Sequence, residues 1–350
     1  MGRMVNESQQ MDNVLPQGVS FVVFTFNSRK LVEDALASVV AQKNAQFPIE
    51  ILLVDNNSSD DTVAFVTQFL EKSGVDFRVL KQEKPGLFHS RVAGIAAAKY
   101  RYFVFVDDDN RLLGQWADAV CHLLASKPAV GLIAAVNEAR LGGEEPIWWE
   151  SQKHAYAVGR PNEETGPVAG AFSAAWGAGL SGRTLLVRKL YEKVKFWLVG
   201  RTGSTLLAGE DSELSYWARL AGFTIYQSEL RLIHYIEARK LDEAYLLGLH
   251  KGFRIADTYL LQYRMVLTGV SPFWQRLNYA WWLWSKWLAA PLRKAFAEGE
   301  VERLDIITKK PTLGECFSFL IGWGKWSMVT REIKRTRKAL KPIIAPPKSS

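Results

Sequence analysis

The stretch that most constrains the fold of this chain is residues 102–110 (YFVFVDDDN), where five apolar residues stop abruptly at three consecutive carboxylates. An apolar run of this length, bounded by polar residues, is typical of a strand buried on both faces of a sheet. The acidic cluster then falls at the carboxyl end of the strand, where open α/β sheets bind ligands. Adjacent like charges favour a bound divalent cation with oxygen ligands, but an exposed acidic turn is the simpler explanation of the cluster taken alone.

Strand and helix patterns alternate on both sides of this stretch. Runs with strand character occupy residues 19–26, 49–54, 77–80, 102–106 and 130–136. Apolar residues at helical spacing separate them, in residues 31–40, 63–70, 89–99 and 116–124. This alternation predicts a mainly parallel, doubly wound α/β sheet with short crossovers.

The regular alternation stops after residue 136. Residues 137–167 hold scattered Gly, Pro and Glu together with Trp148 and Trp149, which suggests long loops over a site. The segment WGAG at 176–179 would let backbone approach a ligand closely, although an ordinary glycine bend has the same pattern.

Carboxylates recur at three predicted loop ends. Asp55 follows the second strand, Asp107 and Asp109 follow the fourth, and Glu210 and Asp211 precede a helical pattern. Acids in the first turn of a helix also complement the helix dipole, so Glu210 and Asp211 have a purely structural explanation. Because carboxylates at adjacent strand ends meet at one crevice, their recurrence favours a metal-assisted site.

The positive charge of the chain is confined to its C-terminal third. Residues 236–350 contain 20 Lys and Arg against 10 Asp and Glu, whereas residues 1–235 contain 24 against 26. Trp and Leu are concentrated between basic residues in 276–287, and a second aromatic patch at 317–328 precedes the basic run 331–338. Helices of this kind are typical of a membrane interface, but a helical packing domain with a solvated basic tail explains the same pattern.

Composition limits the cellular setting. With 48% hydrophobic and 23% charged residues, the 350-residue chain is globular, and its two distant cysteines form neither a disulfide framework nor a zinc-ligand spacing. The first 18 residues lack the apolar core of a signal peptide, and no uninterrupted run of 18 apolar residues predicts a spanning helix. We expect a cytoplasmic protein at the inner face of the cell membrane.

Taken in order, the motifs resemble glycosyltransferase family 2, whose members have the GT-A fold. The resemblance covers residues 19–235 and rests on VFTFN at 23–27, LVDNNSSD at 53–60, KPG at 84–86, RVAGI at 91–95, FVDDDN at 105–110, WGAG at 176–179 and GEDSEL at 209–214. Each segment alone is weak, but their shared order is specific. Phe26 and Asn56 depart from the family's commoner Tyr and Asp without removing a group that the chemistry needs.

The resemblance and the sequence patterns together predict three regions. Residues 1–18 would be a flexible tail, and the resemblance makes residues 19–235 a GT-A domain with a Rossmann-like, mainly parallel sheet and flanking helices. Residues 236–350 would be a mostly helical, Trp-rich, basic extension, either associated with the membrane or packed as a helical domain.

The resemblance also implies a site for a nucleotide-sugar. Thr25, Asn27 and Asp55 would line the pocket for the base and ribose, with Arg91 near the nucleotide. Asp107 and Asp109 match the Asp-x-Asp motif. Asp109 would be the main ligand of Mn²⁺ or Mg²⁺, Asp107 its partner toward ribose or metal, and Asp108 would be the least committed of the three. His234 is a further candidate ligand of the metal or diphosphate, although a lone His is more often structural.

The reacting groups follow from the same resemblance. Asp211 matches the catalytic base, with Glu210 supporting it, and Trp176 and Gly177 are candidate acceptor contacts. Trp148 and Trp149 could stack on acceptor sugars or belong to the core. A divalent ion would stabilise the charge on the leaving diphosphate, and one carboxylate base acting on the attacking hydroxyl would give inversion.

We therefore expect an inverting, metal-dependent glycosyltransferase. It would move sugar from a nucleotide-diphospho-sugar, with UDP favoured, to a glycan or lipid-linked acceptor in surface polysaccharide or glycoconjugate synthesis. A nucleotidyltransferase on a related sheet would release pyrophosphate and would not need Asp211. A nucleic-acid-binding protein acting through the basic tail is the other alternative, but the net acidic sheet region argues against nucleic acid as a partner.

Overall fold

The fold is described from a computed structural model covering residues 14–344, apart from residue 169 and residues 171–172, 201–207 and 298. The expected tail, residues 1–18, lies mostly outside the described part. Within the part of the chain that the structure describes, nine strands form one sheet, namely β1 (Val19–Thr25), β2 (Ile49–Asp55), β3 (Phe77–Lys81), β4 (Tyr102–Asp107), β5 (Asn110–Leu113), β6 (Val130–Leu141), β7 (Gly166–Pro167), β8 (Ser181–Arg183) and β9 (Thr224–Ile236).

Twelve helices accompany the sheet in the described residues. The seven that precede the last strand are α1 (Val32–Val40), α2 (Thr62–Ser73), α3 (Leu87–Ala97), α4 (Trp116–Ser126), α5 (Trp149–Gln152), α6 (Thr184–Lys193) and α7 (Glu210–Leu220). The five that follow it are α8 (Glu243–Thr268), α9 (Pro272–Phe296), α10 (Glu300–Lys309), α11 (Leu313–Ile321) and α12 (Trp323–Ile344). Short 3-10 turns include residues 153–156 and 238–240.

The strand order is β3-β2-β1-β4-β8-β6-β9-β5, with β7 paired to β9. The run β3-β2-β1-β4 is parallel, as the alternation of strands and helices predicts. The other half is mixed, because β8 runs antiparallel to both of its neighbours and β5 runs antiparallel to β9. All seven residues of β1 are buried, which explains why this central strand is apolar on both faces.

Helices cover both faces of the sheet and bury two large apolar clusters. On one face α3 lies so close to β1 that a Cβ on Gly94 would come within 2.2 Å of Val22. The small residues of α3 therefore permit close helix packing, as expected.

The C-terminal helices pack onto the same core. Tyr263 of α8 meets the ring of Trp217 of α7 edge-on at 5.2 Å, and Val329 of α12 is buried in the same cluster. Helix α8 begins where the Asp242 carboxylate accepts a hydrogen bond from the Tyr245 N–H at 2.6 Å, and it ends at Gly269 with a φ of 71°.

The prediction of loops throughout residues 137–167 is wrong in part. Strand β6 continues to Leu141, paired in parallel with β9, and α5 and a 3-10 turn follow. The polar residues at the end of β6 hid this extension, because only one side of the strand is buried there.

Candidate active site

The carboxyl ends of the parallel strands bring the predicted site residues to one edge of the sheet. Thr25 lies opposite Asp55 in the pairing of β1 with β2, and Phe24 lies opposite Asp107 in the pairing of β1 with β4. The parallel register therefore places the ends of β1, β2 and β4, which are far apart in the sequence, next to one another.

A cavity of about 1390 Å³ opens at this edge. Most of the site residues expected from the sequence line it, namely Thr25, Arg91, Asp107, Asp108, Asp109, Trp176, Gly177, Glu210, Asp211 and His234. The cavity continues past these residues to α8, α9 and α10, so the C-terminal helices form one of its walls.

Asn27 and Asp55 do not line this cavity. Asp55 is buried, and its carboxylate accepts hydrogen bonds from the Ser58 N–H at 3.1 and 3.3 Å. The side-chain oxygen of Asn27 accepts a hydrogen bond from the Ser59 N–H at 2.8 Å. Both residues thus shape the loop that follows β2 beside the cavity.

Asp109 lies beside two basic side chains. Its Oδ2 lies 3.3 Å from the Lys240 Nζ and 3.5 Å from the His234 Nε2. His234 reaches this point because β5 pairs antiparallel with β9, which sets Asn110 opposite His234. Burial opposes ionisation, but His234 and Lys240 outweigh it and hold the pKa of Asp109 well below its ordinary value.

Asp108 is held differently from Asp109. Its Oδ2 accepts a weak hydrogen bond from the Phe26 N–H at 3.4 Å. Burial, reinforced by the charge of Asp109, raises the pKa of Asp108 to about 7. Asp108 and Asp109 therefore differ in their readiness to ionise, because Asp109 lies beside Lys240 and His234.

The donor set beside Asp109 fits a divalent ion that the protein shares with a substrate. Within the described residues, no three His, Cys, Asp or Glu side chains come together to hold a metal by themselves. One carboxylate and one imidazole nevertheless meet at Asp109 Oδ2. Mg²⁺ sites commonly use one or two protein ligands and complete their coordination with substrate phosphates and water.

Arg91 organises the opposite side of the cavity. Its guanidinium is buried, and Nη1 donates to the Glu210 Oε1 at 3.1 Å. Burial disfavours the charged form, but the carboxylates of Glu210, Asp107 and Asp211 outweigh it and raise the pKa of Arg91. A Cβ on Gly177 would lie 2.1 Å from the Arg91 Nη2, so glycine at 177 makes room for this buried cation.

Two backbone N–H groups fix the Asp211 carboxylate. The Gly177 N–H donates to Oδ2 at 2.8 Å, and the Ser212 N–H donates to Oδ1 at 2.7 Å. Asp211 is in the first turn of α7, which starts after Gly209 in a left-handed conformation with a φ of 106°. The segment at 176–179 and the start of α7 thus form one structural unit, in which Gly177 contacts the site through its backbone.

The predicted aromatic contacts divide into two groups. Trp176 lines the cavity beside His154, with ring centroids 6.0 Å apart. Trp148 and Trp149 are 3% exposed and pack in a separate apolar cluster with Tyr156, so they belong to the core. The prediction that Trp148 and Trp149 stack on acceptor sugars is therefore wrong, and the alternative that they belong to the core is confirmed.

Sequence reasoning missed Lys240 and Glu213. Lys240 follows β9 in the turn at 238–240, and its position six residues after His234 was the available signal. Glu213 is fully buried in α7 and accepts hydrogen bonds from the Trp197 N–H at 2.9 Å and the Leu198 N–H at 2.7 Å, and from the Tyr263 hydroxyl. Burial raises the pKa of Glu213 to about 7.

The sheet, its flanking helices and the acidic site at the strand ends define the GT-A fold, followed by a helical region. A crystal structure of GalNAc-T7 with UDP, GalNAc and Mn²⁺ has this fold in common with the chain, at a TM-score of 0.50 and 13% identity over 91% of this chain and 58% of that one.

Comparison of sequences points to one family. The family model for Glycosyl transferase family 2 matches residues 20–175 of the chain. Chondroitin synthase from Escherichia coli is 30% identical over 33% of this chain and 17% of its own length. The GalNAc(5)-diNAcBac-PP-undecaprenol beta-1,3-glucosyltransferase from Campylobacter jejuni is 35% identical over 27% of this chain and 30% of its own length. The chain thus matches under a third of either relative.

Proposed function

We propose that the protein transfers a sugar from a nucleotide-diphospho-sugar, with UDP-sugars favoured, to a hydroxyl of a glycan or lipid-linked acceptor. The transfer would serve surface polysaccharide or glycoconjugate synthesis and would invert the configuration at the anomeric carbon. The observation that carries this proposal is that Asp109 and Asp211 line the same cavity. Asp109 lies beside His234, a residue type that can bind a metal, and beside the cation Lys240. Asp211 is held by backbone N–H groups.

In this proposal the donor lies along the carboxyl ends of β1, β2 and β4. Thr25 would bound the space for the base and ribose, with Asn27 and Asp55 acting through the loop after β2 that lies beside it. Asp107 and Asp108 would contact the nucleotide-sugar. Thr25 supports this assignment because its hydroxyl is buried at the cavity and has no hydrogen-bond partner among the described residues. A buried hydroxyl of this kind is stabilised when a ligand supplies the missing partner.

The diphosphate would lie beside Asp109. Asp109 and His234 would hold Mn²⁺ or Mg²⁺ together with the diphosphate oxygens, with Asp107 beside them. When bound, the ion supplies Lewis-acid stabilisation of the negative charge that builds on the leaving group. The ammonium of Lys240 adds positive charge at the same place, because it already lies 3.3 Å from Asp109.

Asp211 is the proposed catalytic base. It would take the proton of the acceptor hydroxyl while that oxygen forms its bond to the anomeric carbon. The bond from this carbon to the diphosphate breaks at the same time, and its electron pair leaves with the diphosphate. The N–H groups of Gly177 and Ser212 hold the carboxylate in one orientation, as a general base requires.

Glu210 and Arg91 would position these groups. Their ion pair bridges α7 and α3 beside Asp211. Since Arg91 also raises the positive potential near Asp107, it would lower the cost of placing a diphosphate among so many carboxylates. Trp176 would contact the acceptor from the loop that holds Asp211.

The C-terminal helices would bind the surface of a membrane. None of the helices in the described part of the chain combines the length and apolar composition needed to cross a bilayer. One face of α9 exposes large apolar side chains at helical spacing, namely Trp274, Leu277, Trp281, Leu288 and Leu292. Exposed cations Arg293 and Lys294 follow in its last turn, so the surface suits anionic lipids. In this proposal the contact holds the enzyme at the inner face of the cell membrane.

A panel of nucleotide-sugars tests the proposed reaction. The full chain is mixed with UDP-, GDP- and dTDP-sugars, with Mn²⁺ or with a chelator, and both thermal stabilisation and donor hydrolysis are measured. We expect one UDP-sugar to stabilise the protein and to be hydrolysed slowly only with the ion. Release of pyrophosphate from a nucleoside triphosphate, with no effect of any nucleotide-sugar, would refute the proposal in favour of a nucleotidyltransferase.

A further inference from the structure

The cavity is larger than one donor needs. Its volume of about 1390 Å³ exceeds the roughly 300–1,000 Å³ that is usual for a small-molecule site. The part beyond the nucleotide end is lined by α8, α9 and α10, which include Phe253, Tyr279, Trp282 and Lys286. We call this part the helical chamber.

The helical chamber begins beside Asp211. Gly209, two residues before Asp211, packs against α8 so closely that a Cβ on it would lie 3.0 Å from the Ala256 Cβ and 3.7 Å from Leu260. Because Ala256 and Leu260 also line the cavity, the wall of α8 runs directly into the turn that carries Asp211. A molecule in the helical chamber can therefore present a hydroxyl to this carboxylate.

The chamber combines apolar surface with positive charge. Arg264 is paired with Asp257, and Lys309 is paired with Asp305. Arg254 is paired with Glu315 at 3.2 Å. Lys286 is partly buried and has no acidic partner among the described residues. An ammonium group in this setting gains most from an anionic group on a bound molecule.

Helix α9 connects the chamber to the exposed apolar face. Tyr279, Trp282 and Lys286 are spaced by three and four residues, so they share one face of the helix, and that face lines the chamber. The exposed stripe that includes Trp281 and Leu288 lies on another face of the same helix. Trp282 belongs to both surroundings, since it lines the chamber and is 41% exposed. The chamber therefore opens at the edge of the apolar stripe.

We infer that the helical chamber is the acceptor site and that the acceptor is an amphiphilic lipid with an anionic phosphate or diphosphate group. This inference rests on the proposed function and narrows its acceptor class. The anionic group binds Lys286, the apolar chain leaves past Trp282 along the exposed stripe, and the hydroxyl end reaches Asp211. The membrane then supplies the acceptor from the side on which the enzyme is bound.

Binding measurements with the full chain test this inference. The probe is geranylgeranyl diphosphate, titrated in the presence of saturating UDP and Mn²⁺ so that the donor end is filled. We expect saturable binding that Lys286→Glu weakens about tenfold or more. The substitution removes a hydrogen bond to the anionic group and places a negative charge next to it. Lys72→Glu, the same charge change at an exposed position of α2 outside the cavity lining, should leave the affinity unchanged.

Two further probes separate the contribution of the anionic group from that of the apolar lipid chain. Geranylgeraniol, which lacks the anion, and inorganic diphosphate, which lacks the chain, should each bind more weakly than the complete probe. Equal binding of either one, equal affinity in Lys286→Glu, or competition between the probe and UDP would each overturn the inference.

UDP affinity is measured for every variant and should match that of the wild type. If the wild type binds UDP, but the wild type and Lys286→Glu bind geranylgeranyl diphosphate with equal affinity, the acceptor inference alone fails. If no nucleotide binds and no nucleotide-sugar is hydrolysed, the proposed function itself fails.

Discussion

The ammonium of Lys240 lies 3.3 Å from Oδ2 of Asp109, the oxygen that also faces His234. The ammonium of Lys240 thus lies at the same oxygen of Asp109 to which a divalent ion would bind. Glu237 offers the same ammonium a second carboxylate at 3.4 Å. Lys240 therefore has an alternative partner to which it can turn when Asp109 engages another cation.

Removing this competing charge should strengthen metal binding. We expect Lys240→Met to bind Mn²⁺ without nucleotide about tenfold more tightly than the wild type, because Asp109 no longer has an ammonium partner. Isothermal titration calorimetry measures the affinity. Lys309→Met removes a cation from the same cavity, but one that is paired with Asp305, and serves as the matched control. An unchanged or weaker affinity in Lys240→Met would show that Lys240 does not compete with the ion.

Asp211→Asn should slow transfer strongly while leaving most of the site in place. The asparagine oxygen can still accept the Gly177 N–H, which donates to Asp211 at 2.8 Å. Its NH2 group replaces the oxygen that accepts from the Ser212 N–H, so that hydrogen bond is lost together with the basicity. We expect the rate of transfer to fall by about 10²–10⁴-fold, the usual contribution of a general base. UDP affinity and melting temperature should stay close to wild-type values. Transfer at the wild-type rate would assign the base to another residue.

Gly177→Ala tests the packing of the buried Arg91. The added Cβ would lie 2.1 Å from Nη2 and 2.9 Å from Cζ of a guanidinium that is only 3% exposed. Overpacking of this kind costs about 1–3 kcal/mol, and displacement of Arg91 should also weaken nucleotide binding. Thermal unfolding with and without UDP measures both effects.

Gly324→Ala is the matched control for this change. Gly324 is exposed in α12, and an added Cβ there meets nothing within 4 Å. Alanine at this position should be neutral or stabilising by up to about 1 kcal/mol, because it favours the helix. If Gly177→Ala is as stable as Gly324→Ala, the contact with Arg91 is not a tight one.

The parallel half of the fold could be predicted from the sequence because its signals are local. Strands buried on both faces appear as short apolar runs, so the expected residues 19–26 and 49–54 agree with β1 and β2 to within one residue. Parallel order then places Asp55 and Asp107 at the same edge, as the register confirms.

The rest of the site depends on contacts between distant parts of the chain. The pairing of Asn110 with His234 is antiparallel and spans over a hundred residues, and Lys240 reaches Asp109 only because of it. The burial of Glu213 involves Tyr263 in α8, 50 residues further along the chain, so no local pattern predicts it. Amphipathic patterns identified the C-terminal helices, but they do not specify which helix faces the cavity.

Glu213 should make stability depend on pH. Burial raises its pKa from 4.5 to about 7 in the folded protein, so the folded state holds the proton more tightly than the unfolded chain. Its contribution is therefore complete below pH 4.5 and is lost as the pH rises to about 7. The loss is on the order of 3 kcal/mol for a shift of this size.

The comparison of Glu213→Gln with the wild type isolates this effect. Glutamine stays neutral and can still accept hydrogen bonds from the Trp197 and Leu198 N–H groups. Urea unfolding at pH 5 and pH 8 should show a smaller fall in unfolding free energy for the variant. Asp108, whose pKa is also raised to about 7, contributes equally to both proteins and cancels. Parallel pH profiles would mean that Glu213 is already ionised at pH 5.

Trp281→Glu tests membrane binding through α9. Trp281 is 73% exposed in the apolar stripe, and Ile147 is 72% exposed in the segment before α5. The two variants Trp281→Glu and Ile147→Glu therefore add the same charge at equally exposed apolar positions. In flotation with vesicles of phosphatidylglycerol and phosphatidylcholine, we expect Trp281→Glu to lose most of the bound fraction and Ile147→Glu to bind as the wild type does.

The salt dependence of flotation separates the apolar and electrostatic parts of the contact. Binding of the wild type should weaken from low to high salt, because Arg293 and Lys294 attract anionic lipid through interactions that ions screen. It should not vanish, since Trp and Leu burial is insensitive to screening. Equal losses in Trp281→Glu and Ile147→Glu would indicate a nonspecific effect of added negative charge and would reject α9 as the membrane-binding face.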